Sequence, residues 1–272
     1  MVNCYQAASL EAALKIRAKE SVTPYAGGTD LMVKPRKDAE YLFLNKVPEM
    51  KKIVEDEKYI RIGAACTFTE IIESKLTPAI LKEAVSQIAA PAIRNLGTAG
   101  GNICNGSPKA DSALVFFATD SKLRLVSSKG ERVIPITQFY LGRNKTSLQD
   151  DELLVEILMD KTGFNNYYYK KVGARNALAI SRVSFAGVIN IDKSIIKRFI
   201  TAFGAVSDII LRKDDIDSMF VGKTIEEAKS VKEDYLAAYD RAIVPIRGRV
   251  SAEYRKAVCM NLLRDFLESE GI

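Results

Sequence analysis

A chain of 272 residues with 40 basic and 34 acidic side chains carries a formal charge of +6. The signs alternate along most of the chain instead of forming one basic stripe, which argues against a nucleic-acid groove. Histidine is absent, so Ser-His-Asp and Cys-His catalysis, His-ligated zinc and His-ligated haem are excluded.

The apolar fraction of 47% suits a protein with buried cores, and at ~100–200 residues per domain the length allows one large domain or two to three small ones. No run approaches the ~20 apolar residues of a bilayer-spanning helix. The opening Met1-Val2-Asn3-Cys4-Tyr5 lacks the basic-then-apolar layout of a secretion signal. Cys4, Cys66, Cys104 and Cys259 stand far apart with no Cys-x-x-Cys. This excludes zinc ribbons and the usual iron–sulfur spacings, and it fits free thiols in a reducing cytosol.

In chain order, Leu10, Ala13, Leu14 and Ala18 behind a Ser9 N-cap predict a helix over residues 9–20, with Glu11 where the dipole favours an acid. A short extended run over 22–26 ends in Gly27-Gly28. The densest basic cluster, 34–37, is followed at once by Asp38 and Glu40, as on a solvated face. Strands are expected at 41–44 and 52–54, with a hairpin through Glu55-Asp56-Glu57 into a strand over 59–64. Thr67 and Glu70 form a capping-box pattern for a helix over 67–74. A second helix over 77–90 stops near Pro91. Residues 95–108 are rich in small residues and read as irregular. A buried helix over 111–119 follows, then a hairpin of 123–126 with 133–136 around Lys129-Gly130, and a strand over 153–158.

The texture changes around Lys161-Thr162-Gly163. Residues 167–169, 183–191 and 199–203 are β-rich, and two amphipathic helices, 225–239 and 252–267, come after them. Strands followed by helices predict a separate α+β domain. The expected division is 1–56, 57–162 and 163–272.

Two segments hold paired glycines: Ala26-Gly27-Gly28-Thr29-Asp30-Leu31 and Thr98-Ala99-Gly100-Gly101-Asn102. Glycine pairs permit positive φ and remove the Cβ atoms that would block a ligand, and successive N–H groups can converge on an anion. Two such segments could grip one pyrophosphate from two sides; each alone reads equally as a tight turn. No G-x-G-x-x-G is present, which leaves a Rossmann site unsupported. Gly222-Lys223-Thr224 imitates the end of a Walker A loop, but Asp217 stands where its first glycine belongs. Thr224 is better read as a helix N-cap.

Together these residues resemble, over nearly the whole chain, the FAD-binding (medium) subunit of the molybdenum hydroxylases: the xanthine, carbon monoxide and nicotinate dehydrogenase type. The resemblance rests on Tyr25 to Leu31, on Arg94 to Asn102 with Ser107-Pro108-Lys109-Ala110-Asp111, on 170–181, and on Ser251-Ala252-Glu253-Tyr254-Arg255. It implies an α+β fold, namely a two-lobed FAD-binding domain of the vanillyl-alcohol-oxidase/PCMH type followed by an α+β C-terminal domain. By resemblance, Tyr25, Ala26, Gly27, Gly28, Thr29, Asp30 and Leu31, with Thr98, Gly100, Gly101 and Asn102, hold the pyrophosphate and adjoining ribose or ribityl groups of a non-covalent FAD. Asp111 resembles the family carboxylate that hydrogen-bonds an FAD hydroxyl. Leu153 and Lys170 resemble positions near the flavin ring, with Ile88 a further apolar neighbour; a Lys170 charge there would favour the anionic reduced ring.

The implied partners are a molybdopterin subunit and a subunit with 2Fe-2S clusters. Electrons from a substrate of a xanthine dehydrogenase-like, cytoplasmic complex would pass through them to this chain and on to NAD. Two other readings remain. One is a flavin-free scaffold of the same fold. The other is a stand-alone vanillyl-alcohol-type oxidase, whose relatives commonly tether flavin through His or Cys; this chain has no His and no Cys in its first glycine loop. The missing cysteine cluster disfavours the branch with an extra iron–sulfur centre. Purine, nicotinate and carbon monoxide all stay open as substrates, because that pocket belongs to another chain.

Overall fold

The computed structural model describes residues 4–35, 38–162, 166–175, 178–246, 248 and 250–272. Residues 1–3 of the opening segment, 36–37 of the basic cluster, the expected boundary at 163 and residues 176–177 of the family-like motif lie outside that set. Helix and strand are mixed along the whole chain, an α+β protein as expected. The chain forms two compact units: Met1–Gly106 with Asp120–Asp160, and Ser107–Thr119 with Lys161–Ile272.

In the first unit a three-stranded parallel sheet runs Cys4–Gln6, Tyr41–Phe43, Thr23–Tyr25. The helix Leu10–Lys19 connects two of these strands, begins at Ser9, whose hydroxyl accepts from the Ala12 N–H, and buries Ala13. A five-stranded antiparallel sheet follows in the order Ile53–Glu55, Tyr59–Gly63, Leu153–Asp160, Lys122–Ser127, Gly130–Pro135. Both expected hairpins are present. The first turns on the Asp56 carboxylate, which accepts from the N–H groups of Lys58 and Tyr59.

The central strand Leu153–Asp160 is buried except at Glu156 and Asp160, and its near-continuous apolar run suits a strand covered on both faces. Glu156 stands at a bulge in that strand. Its Oε2 accepts from Arg61 Nη2 at 2.5 Å and Arg124 Nη1 at 3.1 Å, and Arg124 reaches Glu131 at 2.6 Å. Charge-assisted hydrogen bonds thus tie four neighbouring strands together.

The capping box at Thr67 and Glu70 forms as read, opening the helix Phe68–Glu73. The next helix is shorter than expected, Ala79–Ser86. Residues 98–104, read as irregular, form the helix Ala99–Cys104 with Thr98 as N-cap. Glycine's low helix propensity is overridden there by tertiary hydrogen bonds described below.

The second unit holds a four-stranded antiparallel sheet, Asn166–Val172, Val183–Asp192, Ile195–Gly204, Leu211–Arg212. On one face Phe185, Phe199 and Phe203 join Phe220, Tyr235, Tyr239 and Phe266 in an aromatic core. The helix Asp111–Ala118, buried at every position, packs against Val183–Asp192 and Ile195–Gly204. It is tied in by Ala205 N–H to Pro108 O at 2.7 Å and Arg212 Nη1 to Phe117 O at 2.8 Å. The single helix expected over 225–239 is two, Ile225–Ser230 and Lys232–Ala242, broken at Val231. Thr224 and Glu227 form a full capping box, so the Walker-like tripeptide is a helix start.

Asp217 lies inside this core, 2% exposed. Its carboxylate accepts from the Thr201 N–H at 2.8 Å, the Thr201 hydroxyl at 2.9 Å, and the Tyr235 and Tyr239 hydroxyls at 2.8 Å each. These donors are neutral, and burial wins over them, pushing the Asp217 carboxyl up from 3.8 to about 7. The folded state therefore binds a proton at pH values where the unfolded chain has released it. Stability from this group is complete below pH ~4 and falls by about 4 kcal/mol as pH rises to about 7. Asp217→Asn cannot titrate. Urea unfolding at pH 5, 6, 7 and 8 is expected to show the parent losing stability relative to Asp217→Asn across pH 5–7 and running parallel to it above pH 7.

Candidate functional site

The first glycine loop grows out of the strand Thr23–Tyr25 and ends in the single turn Leu31–Val33. A Cβ on Gly27 would overlap the Leu96 carbonyl oxygen. The backbone of this loop thus lies directly on the residues that lead into the second glycine segment, an approach open only to glycine. Gly28 has φ +68, and a Cβ there would run into the Tyr25 ring. Tyr25 in turn packs on Tyr41 and Phe43, with centroids 5.7 and 4.7 Å away. Gly28 O accepts from Met32 N–H and Asp30 O from Val33 N–H. The N–H groups of Gly27, Gly28, Thr29, Asp30 and Leu31 donate to no described residue. A half-buried stretch of unspent donors with no side chain at two consecutive positions fits a phosphate-bearing ligand.

The second segment behaves differently. Thr98 Oγ1 accepts from Gly101 N–H at 3.1 Å. Ala99 N–H donates to Cys66 O at 3.1 Å, Gly100 N–H to Ala64 O at 2.8 Å, and Asn102 N–H to Thr98 O at 3.0 Å. These donors are consumed inside the fold, so the expected pair of equivalent N–H cradles reduces to one. Gly100 lets the helix Ala99–Cys104 rest on Ala64, 2.6 Å from where its Cβ would be. At Gly101 a Cβ would press on Thr98 Oγ1, the cap atom, at 2.9 Å and meet no other neighbouring group within 4 Å. Upstream, Arg94 Nη1 donates to the carbonyls of Ile88 and Ala89 at 2.7 and 3.2 Å, pinning the turn before Leu96. Leu153 is buried, the first residue of the central strand of the antiparallel sheet, paired with Val126.

The other two predicted site residues belong to the second unit. Asp111 opens the helix Asp111–Ala118 and is 6% exposed. Lys171 Nζ donates to its Oδ2 at 2.7 Å and Ser181 Oγ to its Oδ1 at 2.6 Å. Burial pushes the Asp111 carboxyl up, while Lys171 and Ser181 pull the other way. Lys170 is exposed. Neighbouring strand residues point to opposite faces, so with Lys171 turned to Asp111, Lys170 shares the face of Tyr168, whose ring meets Phe185 and Phe266. The structure therefore does not bring Lys170 to Asp111. Lys171 and Ser181, which the sequence analysis names only within the run 170–181, are the residues that hold Asp111. Tyr169, two residues from Lys171, is buried on the same face.

Burial pushes the thiols of Cys66, Cys104 and Cys259 up to about 12, so they stay protonated and unreactive at neutral pH. Among the described residues there is no group of three or more His, Cys, Asp or Glu that could hold a metal ion, and no helix long and apolar enough to cross a membrane.

Residues 1–159 match the model of the FAD binding domain in molybdopterin dehydrogenase, and residues 167–269 match that of the CO dehydrogenase flavoprotein C-terminal domain. The xanthine dehydrogenase FAD-binding subunit of Escherichia coli O157:H7 is 33% identical over 76% of this chain and 75% of its own length. The nicotinate dehydrogenase FAD-subunit of Eubacterium barkeri is 29% identical over 85% of this chain and 82% of its own. In the structure of reconstituted CO dehydrogenase from Oligotropha carboxidovorans, one chain superposes with a TM-score of 0.88 at 25% identity, covering 98% of this chain and 96% of that one. This protein belongs to the FAD-binding (medium) subunit family of the molybdenum hydroxylases.

Proposed function

We propose that this chain is the flavin subunit of a xanthine dehydrogenase-like complex. In that reading it takes electrons from a 2Fe-2S partner subunit that is itself fed by a molybdopterin subunit, and it passes them to NAD. The observation that carries the reading is the glycine-only contact between Gly27 and Leu96, which sets a row of unspent N–H groups beside the second glycine segment. The N–H groups of residues 27–31 and the Thr29 hydroxyl would donate to the FAD diphosphate. Thr98, Gly100, Gly101 and Asn102 would shape its neighbourhood, chiefly by leaving the space at Gly101 clear. Tyr25 and Ala26 would set the direction of the loop. Asp111, Leu153 and Lys170 enter on the family resemblance.

Bound FAD would supply the redox chemistry, receiving electrons singly and releasing them as a pair, while the protein supplies position and electrostatics. That division of labour accounts for an oxidoreductase subunit with no histidine. A purine substrate for the complex is favoured by the 33% identity to the xanthine dehydrogenase subunit, against 29% and 28% for the nicotinate and carbon monoxide dehydrogenase subunits. The free thiols suit a reducing, cytoplasmic setting.

The purified chain is expected to take up FAD and to release it into the supernatant on acid precipitation; a coloured pellet would instead indicate a covalent link. Gly27→Ala has no room for its methyl group and is expected to lose both FAD and thermal stability. Gly101→Ala, whose methyl need displace only the Thr98 hydroxyl, should lose less thermal stability than Gly27→Ala, and Gly101→Val should raise the Kd for FAD, read by fluorescence quenching, about tenfold or more. If Gly101→Val retains FAD as the parent does, the second segment is not part of the site. For the complex co-purified with its native partners, xanthine-dependent NADH formation is expected, and turnover with nicotinate or carbon monoxide alone would reassign the substrate.

A further inference from the structure

Ser181 stands two residues ahead of the strand Val183–Asp192, which pairs with Asn166–Val172. Ser181 is 3% exposed, and its hydroxyl donates to Asp111 Oδ1 at 2.6 Å. The opposite oxygen, Oδ2, accepts from Lys171 Nζ at 2.7 Å, a side chain itself only 8% exposed. The two donors act in different ways. Lys171 brings the compensating charge that a buried carboxylate needs. Ser181 brings no charge, but it grips the other oxygen. A carboxylate held at one oxygen alone can still rotate about its Cβ–Cγ bond, a broad two-fold torsion; held at both, it cannot. Each carboxylate oxygen has two lone pairs, so two donors leave acceptor capacity unspent.

We propose that Ser181 is a positioning residue for the flavin nucleotide: by holding Asp111 Oδ1 it fixes the orientation of the carboxylate and keeps it charged, so that its spare lone pairs are ready to accept from an FAD hydroxyl. This rests on the reading that Asp111 receives such a hydroxyl, and it adds a residue that the reading did not include. Only the charged carboxylate is purely an acceptor; once protonated it presents a donor of its own. Loss of the Ser181 hydroxyl therefore both loosens the carboxylate and makes protonation easier. The charge facing Asp111 is the Lys171 ammonium, which the Ser181 variants leave in place.

The test is the Kd for FAD of the full-length chain, read by flavin fluorescence quenching from pH 5.5 to 9, with melting temperatures recorded alongside. Ser181→Ala is expected to weaken FAD binding about tenfold at pH 7, the scale of a hydrogen bond to a charged group. It should also move upward the pH at which affinity is half lost on acidification. Ser181→Thr, which keeps the hydroxyl, should restore both, and Ser181→Cys, a weak donor, should fall between. A purely structural serine would lower the melting temperature and weaken binding equally at every pH, leaving the midpoint where it was; that result overturns the proposal. Asp111→Asn separates the two layers. If it weakens FAD binding while Ser181→Ala does nothing, the role of Asp111 stands and that of Ser181 falls. If Asp111→Asn binds FAD as the parent does, the underlying reading of Asp111 is itself wrong.

Discussion

The first unit is organised around a place where two stretches of backbone touch with nothing between them. Gly27 rests on the Leu96 carbonyl, and the loop it belongs to cannot also spend its N–H groups on the fold. A buried or half-buried donor left unspent is costly unless a ligand or water takes it, so the arrangement makes sense as an anion seat. Much around it serves to keep that contact in register. The Tyr25 ring limits the loop on one side and the Arg94 guanidinium holds the turn before Leu96. The Thr98 cap fixes the start of the following helix.

The second unit handles two buried carboxylates by opposite means. Asp111 has a cation against it, and Asp217 has four neutral donors and none. A charge neutralised by an ammonium tolerates burial at neutral pH. One surrounded by hydroxyls and a backbone N–H gains less, and desolvation then favours the protonated form. The first arrangement sets a cation and a hydroxyl against the upward push of burial. The second is a joint between Thr201, at the centre of a strand, and the helix Lys232–Ala242, and it works in either protonation state because hydroxyls can reverse their hydrogen bonds.

Much of this was legible in the residues alone. The caps at Ser9, Thr67 and Thr224 are all realised, because a cap is a local transaction between a side chain and N–H groups two or three residues on. The two hairpins of the antiparallel sheet were legible for the same reason. What escaped was set by tertiary contact. The Ala-Gly-Gly-Asn run looks like a loop on propensity, yet it is helical because Ala64 and Cys66 carbonyls accept its first N–H groups. The choice between Lys170 and Lys171 is a matter of which sheet face is covered by the helix Asp111–Ala118, and two adjacent lysines carry no sign of it. Ser181 was quoted as part of a motif, but its hydroxyl finds its acceptor 70 residues away. The family pattern included Asp111, Lys171 and Ser181, but nothing in it paired the last two with the first.

The helix Asp111–Ala118 belongs by contact to a unit whose remaining residues begin only at Lys161. In synthesis this largely apolar segment precedes the strands that shelter Phe116 and Phe117, both buried in the finished protein. Segments exposed in that way invite misassembly. Maturation of this subunit therefore depends on synthesis reaching the last strands and helices, and a fragment beginning at Lys161 would lack the element that covers one side of its sheet.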